Sequence, residues 1–322
     1  MQKKSNVTMN ELIASKMVQL KENNQINTSN CYRTLLHFIE RNFGVVKCCE
    51  CDAAFVKRMN SAMEGMSQST KANYFACLKS VWYFAQYKGY TGRMEFPFRR
   101  KSWETDKVRI PKMTRRTECW MTRDEMSDLY RIWLSMEDGI RKRYVGLFLC
   151  SYLMNGANVA DIVRMRYNSD WFASGGKIIT FVRRKTAEKS PTTVRVPVTQ
   201  WLQPILEYLA DAPVRGGLVF GSFVAGCTTD DAVNKKVMTL NNCCTKILRK
   251  VMKGAGMRDD VSVTYARHSY STVMNHNGAP FALIEKNLGH SGGGDVAFNY
   301  IGAFSDEALF KYNEQLIVCN IA

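Results

Sequence analysis

The sequence reads TYARHSYS from Thr264 to Ser271 and LGHS from Leu288 to Ser291, and Tyr300 follows. An arginine binds a phosphate through two parallel hydrogen bonds from its planar guanidinium. A histidine donates to the same phosphate or moves a proton. A tyrosine hydroxyl attacks phosphorus once the phosphate charge is neutralised. These residue types together are what an enzyme needs to cut DNA by attaching itself to the strand.

The three blocks, in this order and at these intervals, resemble the C-terminal signature of the tyrosine recombinases, or phage-integrase family. The resemblance is strongest over residues 140–305 and weaker over the first hundred residues. It implies that Tyr300 is the nucleophile that forms a 3′-phosphotyrosine bond, and that Arg267 clamps the phosphate. It also implies that His290 donates to the phosphate or to the nucleophile. His268 matches a family position that is usually structural.

Lys185 ends the first strand of a predicted hairpin, in the sequence RRKT from Arg183 to Thr186. In the family, a hairpin lysine reaches the minor groove and protonates the leaving 5′-oxygen. The resemblance therefore implies that Lys185 is the general acid. The alternative is an ordinary solvated turn lysine, as Lys189 is expected to be.

Two positions depart from the family pattern. Asn158 stands where the first catalytic arginine is usual, and Thr264 stands where a histidine or lysine is usual. One lost charge-assisted phosphate contact costs about 2–4 kcal/mol of transition-state stabilisation, or about 10²–10³ in rate. The chain thus resembles a branch of the family that lacks the first arginine. Nearby arginines are candidates to compensate: Arg143, Arg164 and Arg166.

The net charge indicates a polyanionic partner. The chain has 322 residues, with 45 Lys and Arg against 29 Asp and Glu, a formal charge of +16 and a pI near 9.4. Double-stranded DNA is the partner that such an excess favours. A basic surface without any partner is the alternative.

The eleven cysteines indicate reduced thiols in the cytoplasm. A disulfide scaffold is typical of small secreted domains, which this chain does not resemble. The CxxC at Cys48–Cys51 and the pair Cys243–Cys244 lack the usual paired spacing of a zinc site. We therefore expect no metal and no other cofactor. With no signal peptide and no apolar membrane span, the sequence predicts a cytoplasmic bacterial protein that acts on DNA.

Hydrophobic periodicity predicts a mainly α protein with a small β-hairpin. Residues 1–92 read as a helical domain of the core-binding type that binds DNA. Residues 117–322 read as an α+β catalytic domain of the tyrosine-recombinase type. Capping boxes open helices in both, at Thr8 and at Thr122.

Residues 93–116 read as a basic linker that contains Pro97 and Pro111. Such a segment is well suited to binding along a phosphate backbone. We expect the two domains to bind opposite faces of one duplex. A merely solvated linker is the alternative. The predicted DNA-binding cations, including two in the hairpin turn, are Arg99, Arg100, Lys101, Arg115, Arg116, Arg183 and Arg184.

The last segment, 305–318, carries Leu309, Tyr312 and Leu316 on one apolar stripe at helical spacing. This tail either folds back on its own domain or docks on a neighbouring protomer. The family resemblance favours docking, because such recombinases exchange tails within a tetramer that holds two duplexes. We therefore expect a monomer in free solution and a homotetramer on paired DNA sites.

The sequence leaves three functions open. The first is a site-specific recombinase of the integrase or invertase type. The second is a catalytically impaired DNA-binding or synaptic relative, which shares the basic surface. The third is a type IB topoisomerase-like enzyme, which shares the chemistry but needs no defined site.

Overall fold

The computed structural model describes residues 6–23, 25–113, 119–187, 191–290 and 302–319. The chain divides into two compact units, Met1–Arg116 and Thr117–Ala322. Each unit has an apolar core of its own. Three predicted functional residues lie outside the described ranges: Arg115, Arg116 and Tyr300. Lys189, expected to be a solvated turn lysine, lies outside them as well.

Four α-helices form the described part of the N-terminal unit. They are α1 (Met9–Glu22), α2 (Ile26–Phe43), α3 (Ala53–Ala62) and α4 (Gln68–Tyr87). The first helix begins where the sequence predicts, because Thr8 accepts from the backbone of Glu11 and the Glu11 carboxylate accepts from Thr8. The apolar faces of these helices meet in one core, which includes fully buried Leu35, Phe75 and Trp82.

Residues 93–113 are not the free linker that the sequence predicts. Phe98 is buried in the N-terminal core, with its ring 5.5 Å from that of Phe75. Phe98 also forms an isolated bridge with Val108, and Ile110 packs against the same core. The segment folds onto the unit because apolar residues lie among its cations. Burying these apolar side chains is more favourable than leaving the segment in solvent.

The C-terminal unit is mainly helical and contains one two-stranded sheet. Its named elements among the described residues are α5 (Arg123–Ser135), α6 (Ile140–Leu153), α7 (Val159–Ile162), α8 (Ser169–Ala173), β1 (Ile178–Val182), β2 (Thr193–Pro197), α9 (Gln203–Leu209), α10 (Asp230–Gly254), α11 (Tyr265–His276), α12 (Phe281–Asn287) and α13 (Asp306–Asn313).

Helix α6 is the centre of this unit. Its residues from Val145 to Leu153 are all buried, and it packs against α5, α9, α10 and α11. A helix that is apolar on every side is expected in the middle of a core. The antiparallel hairpin pairs Thr180 with Arg195 and packs through β2 on α12 and α13. This packing brings the end of β1 beside the LGHS segment.

The C-terminal tail packs on its own unit. Leu309, Leu316 and Ile317 are buried in the core of that unit. The Tyr152 hydroxyl donates to the Leu316 carbonyl across 2.9 Å, and the Trp201 indole donates to the Glu314 carbonyl across 2.8 Å. In the single chain, the tail's own unit therefore covers the apolar stripe, and docking of the tail on a neighbouring protomer stays a prediction.

In the ranges that the structure describes, none of the helices is both long and apolar enough to cross a membrane.

Candidate active site

Arg267 lies on α11, and its guanidinium is held by backbone carbonyls. Its Nη1 donates to the Gly156 carbonyl across 3.0 Å, and its Nη2 donates to the Leu288 carbonyl across 2.6 Å. Burial, and after it the positive charge of Arg183, lowers the pKa of Arg267 to about 10. An arginine this enclosed is costly without an anion, which fits a phosphate-binding role.

His290 lies beside Arg267 in one defined tautomer. The Nη2 of Arg267 is 3.0 Å from the Nε2 of His290, and the Nδ1 of His290 is 2.9 Å from a Glu285 carboxylate oxygen. Because a guanidinium only donates, Nε2 accepts and Nδ1 carries the proton that goes to Glu285. The three side chains thus form one chain of hydrogen bonds, with a neutral imidazole in the middle.

The loop after α6 approaches Arg267 so closely that it requires glycine. Gly156 has a φ of +65°, and a Cβ there would lie 3.0 Å from the Cα of Arg267. The preceding Asn155 also has a positive φ, of +56°, and its amide donates to the Arg195 carbonyl across 2.8 Å. This side-chain bond to β2 holds the loop in place against α11.

Asn158 lies at the start of α7, half-buried, and it brings no positive charge to the site. Its side chain is near enough to the buried carboxylate of Asp161 to lower the pKa of that group. Burial raises the pKa of Asp161, while the Arg184 backbone N–H, at 3.0 Å, and the charges of Arg183 and Arg267 lower it. The carboxylate thus joins the start of α7 to the end of β1.

Arg183 is buried and not the surface cation that the sequence predicts, with 8% of its area exposed. It follows β1 and runs past Gly289, whose φ is +66°. A Cβ on Gly289 would lie 3.1 Å from the Cδ of Arg183. The side chain therefore passes directly beside the residue that precedes His290.

Arg184 is also not free to contact DNA in this state. It pairs with Asp230 at the start of α10, and its Nη1 lies 2.5 Å from the Asn234 amide oxygen. Arg164 donates to the same carboxylate across 2.7 Å. Burial raises the pKa of Asp230, but the hydrogen bond from Arg164 and the charges of both arginines outweigh it, and the net shift is downward.

The three arginines considered as substitutes for position 158 are bound elsewhere. Arg164 is held by Asp230 as described. Arg143 donates to the Ser222 hydroxyl across 2.9 Å and lies over the Phe223 ring. Arg166 donates to the Gly216 carbonyl across 2.6 Å.

The remaining predicted residues that the structure describes lie at or near the surface. Lys185 is exposed in a 3-10 turn that follows β1, and Thr264 is exposed at the N-terminus of α11. His268 is exposed on the same helix. On the N-terminal unit, Arg100 lies over the Phe96 ring, with 3.9 Å between its guanidinium carbon and the ring centroid. Nearby, the Nε of Arg99 donates to the Lys101 backbone carbonyl across 3.1 Å.

Within the described part of the chain, no group of three or more His, Cys, Asp or Glu residues is arranged to hold a metal ion.

The family model of the phage integrases matches residues 119–304, which is more than half of the chain. The chain belongs to the phage integrase family. Arg267, His290 and the hairpin with Lys185 all fall inside the matched segment, as does Tyr300. No curated protein matches this integrase-family chain.

Solved integrase structures share the fold at low identity. The Tn1549 transposon integrase in complex with circular intermediate DNA aligns with a TM-score of 0.61 at 13% identity, over 94% of this chain and 98% of that one. A lambda integrase dimer bound to a core site gives 0.59 at 13% identity, over 88% and 96%. The XerH recombinase bound to difH gives 0.53 at 15% identity, over 89% and 78%.

Sequence reasoning missed Glu285 as a site residue of this integrase-family chain. The sequence feature that could have indicated Glu285 is the glycine after the helix. Gly289 adopts a left-handed conformation and terminates α12. The chain then reverses, and the His290 backbone N–H donates to the Glu285 carbonyl across 2.9 Å. That reversal brings the two side chains together.

Proposed function

We propose that this protein is a site-specific DNA recombinase of the integrase or invertase type, which cleaves and rejoins strands through a 3′-phosphotyrosine intermediate. The observation that carries the proposal is the chain of hydrogen bonds from Arg267 through His290 to Glu285, placed within the family's matched segment. It combines a phosphate-binding cation with an oriented proton donor or acceptor.

The chemical step is a transesterification. The phenolic oxygen of Tyr300 forms a bond to phosphorus, and the bond from phosphorus to the 5′-oxygen breaks. The phenol passes its proton to the Nε2 of His290, and Lys185 delivers one proton to the leaving 5′-oxygen. One phosphoester replaces another and nothing is oxidised, so the reverse attack by a 5′-hydroxyl rejoins a strand without a metal or nucleotide cofactor.

Phosphate binding rearranges the contacts of Arg267. A charged phosphate oxygen is a stronger acceptor than a neutral ring nitrogen, so it displaces His290 as the partner of Nη2. His290 then takes up a proton at Nε2 and donates it toward the phosphate or the nucleophile. Glu285 continues to accept from Nδ1 and stabilises the imidazolium.

DNA binding and assembly complete the proposal. Both units contribute cations to one duplex, those of the N-terminal unit including Arg99, Arg100, Lys101, Arg115 and Arg116. The free protein is a monomer, and four copies assemble on two paired duplexes. Each neutralised phosphate adds about −0.9 to the slope of log affinity against log salt, so a chain without residues 1–116 should bind more weakly and with a shallower slope.

Covalent trapping tests the proposal. Wild type and Tyr300→Phe are incubated with fragmented genomic DNA, denatured in SDS, and the attached DNA is sequenced. We expect adducts at defined sites for wild type and none for Tyr300→Phe, while both bind DNA with similar affinity. An SDS-resistant adduct on Tyr300→Phe would contradict the assignment of the nucleophile.

The same experiment separates the alternatives. A catalytically impaired binding protein would retain DNA without any adduct. A type IB topoisomerase would relax any supercoiled plasmid and show no defined site.

Sulfur in place of the leaving 5′-oxygen tests Lys185. A thiolate leaves without a proton, so Lys185→Ala should cleave the sulfur substrate far better than the oxygen substrate. Arg267→Ala should fail on both. Lys177→Ala, at an exposed position just before β1, is the matched control and should cleave both like wild type. Equal defects of Lys185→Ala on the two substrates would exclude this role.

A further inference from the structure

We propose that Arg183 supplies the second guanidinium for the scissile phosphate, in place of the arginine that position 158 lacks. The inference rests on the proposed recombinase function, because it assigns a catalytic residue to that same site. It also reassigns Arg183 from a general DNA contact to the reacting phosphate.

The first argument is position. Arg183 is nine-tenths buried, and its Cβ and Cδ lie 3.2 Å and 3.1 Å from where a Cβ on Gly289 would be. Gly289 joins Leu288, whose carbonyl accepts from Arg267, to His290, which faces the same guanidinium. The side chain of Arg183 thus borders the segment that organises the two other phosphate-binding groups.

The second argument is that positions 158 and 183 meet at one carboxylate. The Asn158 side chain is near enough to Asp161 to lower its pKa, and the N–H of Arg184, the residue after Arg183, donates to Asp161 across 3.0 Å. Asp161 lies close enough to Arg183 and Arg267 that both positive charges lower its pKa. An arginine at the end of β1 therefore reaches the region that an arginine at the start of α7 would occupy.

The third argument is electrostatic. Arg183 and Arg267 are two cations at close range in a largely buried site, and repulsion between them disfavours the charged forms. Such an arrangement is unfavourable for the free protein and becomes favourable when an anion lies between the guanidinium groups. The transition state of phosphoryl transfer to Tyr300 carries more negative charge than the ground-state diester, so two cations stabilise it selectively.

A neutral phosphate analogue tests the inference. The substrate carries a site found by wild-type trapping, with either a normal phosphate or a methylphosphonate at the scissile position. Arg183→Ala should cleave the phosphate about 10²–10³-fold more slowly than wild type. On the methylphosphonate, which has no negative charge to neutralise, the ratio of wild type to Arg183→Ala should fall to within tenfold. Arg131→Ala, at an exposed position on α5, is the control and should stay near wild type on both.

A relocated arginine gives the second measurement. Adding Asn158→Arg to Arg183→Ala should restore at least tenfold of the lost cleavage on the normal phosphate, and Arg183→Lys should retain more activity than Arg183→Ala. Thermal melting shows whether each variant is folded, and Arg183→Met replaces Arg183→Ala if the alanine variant is not.

Two outcomes would overturn the inference. One is wild-type cleavage of the normal phosphate by Arg183→Ala. The other is an equal loss on both substrates by a folded variant that Asn158→Arg does not rescue. Failure of the recombinase function is distinct, since wild type itself would then form no adduct on any DNA.

Discussion

The Nη2 of Arg267 and the Nε2 of His290 face each other across 3.0 Å, so the two groups proposed to bind the phosphate bind one another in the free protein. Each group is therefore held in place before DNA arrives. In the proposed reaction, Arg267 exchanges this contact for a phosphate oxygen, and the Nε2 of His290 becomes a donor by taking up the proton of Tyr300.

Removing the partner of His290 should slow cleavage without weakening DNA binding. In Glu285→Ala, Nδ1 loses the acceptor that fixes the ring and the tautomer. We expect single-turnover cleavage to fall by up to about 10²-fold, the usual effect of a misplaced catalytic group. Glu207→Ala removes an exposed glutamate on α9 that bonds only Gln203 among the described residues, and it should have no effect. A wild-type rate for Glu285→Ala would contradict this role.

A methyl group at Gly156 should damage the site more than the same group at Gly278. Both glycines have positive φ, +65° and +74°, so alanine strains either backbone by roughly 1–2 kcal/mol. Only at Gly156 would the new Cβ also crowd Arg267, because nothing lies within 4 Å at Gly278. We expect Gly156→Ala to lose about 1–3 kcal/mol more free energy of unfolding in denaturant titrations, and to lose cleavage. Equal losses would show that Arg267 tolerates the methyl group.

The carboxylate of Asp230 should contribute stability in a pH-dependent way. Its pKa in the folded protein lies below the ordinary value of 3.8. Its contribution is therefore full above that ordinary value and is lost as pH falls through the folded pKa. We expect Asp230→Asn to lower the free energy of unfolding by up to about 1 kcal/mol at pH 7, and to differ less from wild type below pH 3.8.

Asp231→Asn is the control for this measurement, because Asp231 pairs with exposed Lys235 and holds neither arginine. Release of Arg164 and Arg184 in Asp230→Asn should also raise DNA affinity at low salt. A difference between Asp230→Asn and wild type that stays constant from pH 7 to pH 3 would contradict the assignment.

The tail should contribute stability to its own unit even without DNA. Leu316 is fully buried, and Leu316→Ala should cost about 2–5 kcal/mol of free energy of unfolding, measured in denaturant. Val318, two residues later, is 51% exposed, and Val318→Ala should change stability by less than about 0.5 kcal/mol. A small effect of Leu316→Ala on the stability of the monomer would instead indicate that the tail packs only when the protein has assembled.

Local signals predicted the elements of the fold well. Both capping boxes form, and the hairpin pairs over the two strands that β-branched residues predict. Residues such as Arg267 and His290 could be found because their spacing along the chain is short and typical of the family. These are cases in which the information lies within one or two neighbouring elements.

Long-range packing could not be predicted in this way. The cations around Phe98 indicate a linker, but the ring is buried by the N-terminal core. Arg183 looks like one more hairpin cation until the fold places it against Gly289. The apolar stripe of Leu309, Tyr312 and Leu316 indicates that this side of the tail packs against a protein surface. The sequence does not indicate which surface it is. In each case the deciding contact joins residues far apart in sequence.

Gly156 lies against Arg267 and Gly289 lies against Arg183, so each of the two arginines occupies space that a side chain on its glycine would need. Evolution must then change the members of each pair together. In a relative with a small residue at the position of Arg183, a side chain at the position of Gly289 would meet no crowding from that residue. In a relative that keeps the arginine, the crowding remains. We therefore expect the positions of Arg183 and Gly289 to vary jointly among relatives, which inspection of the motif alone does not show.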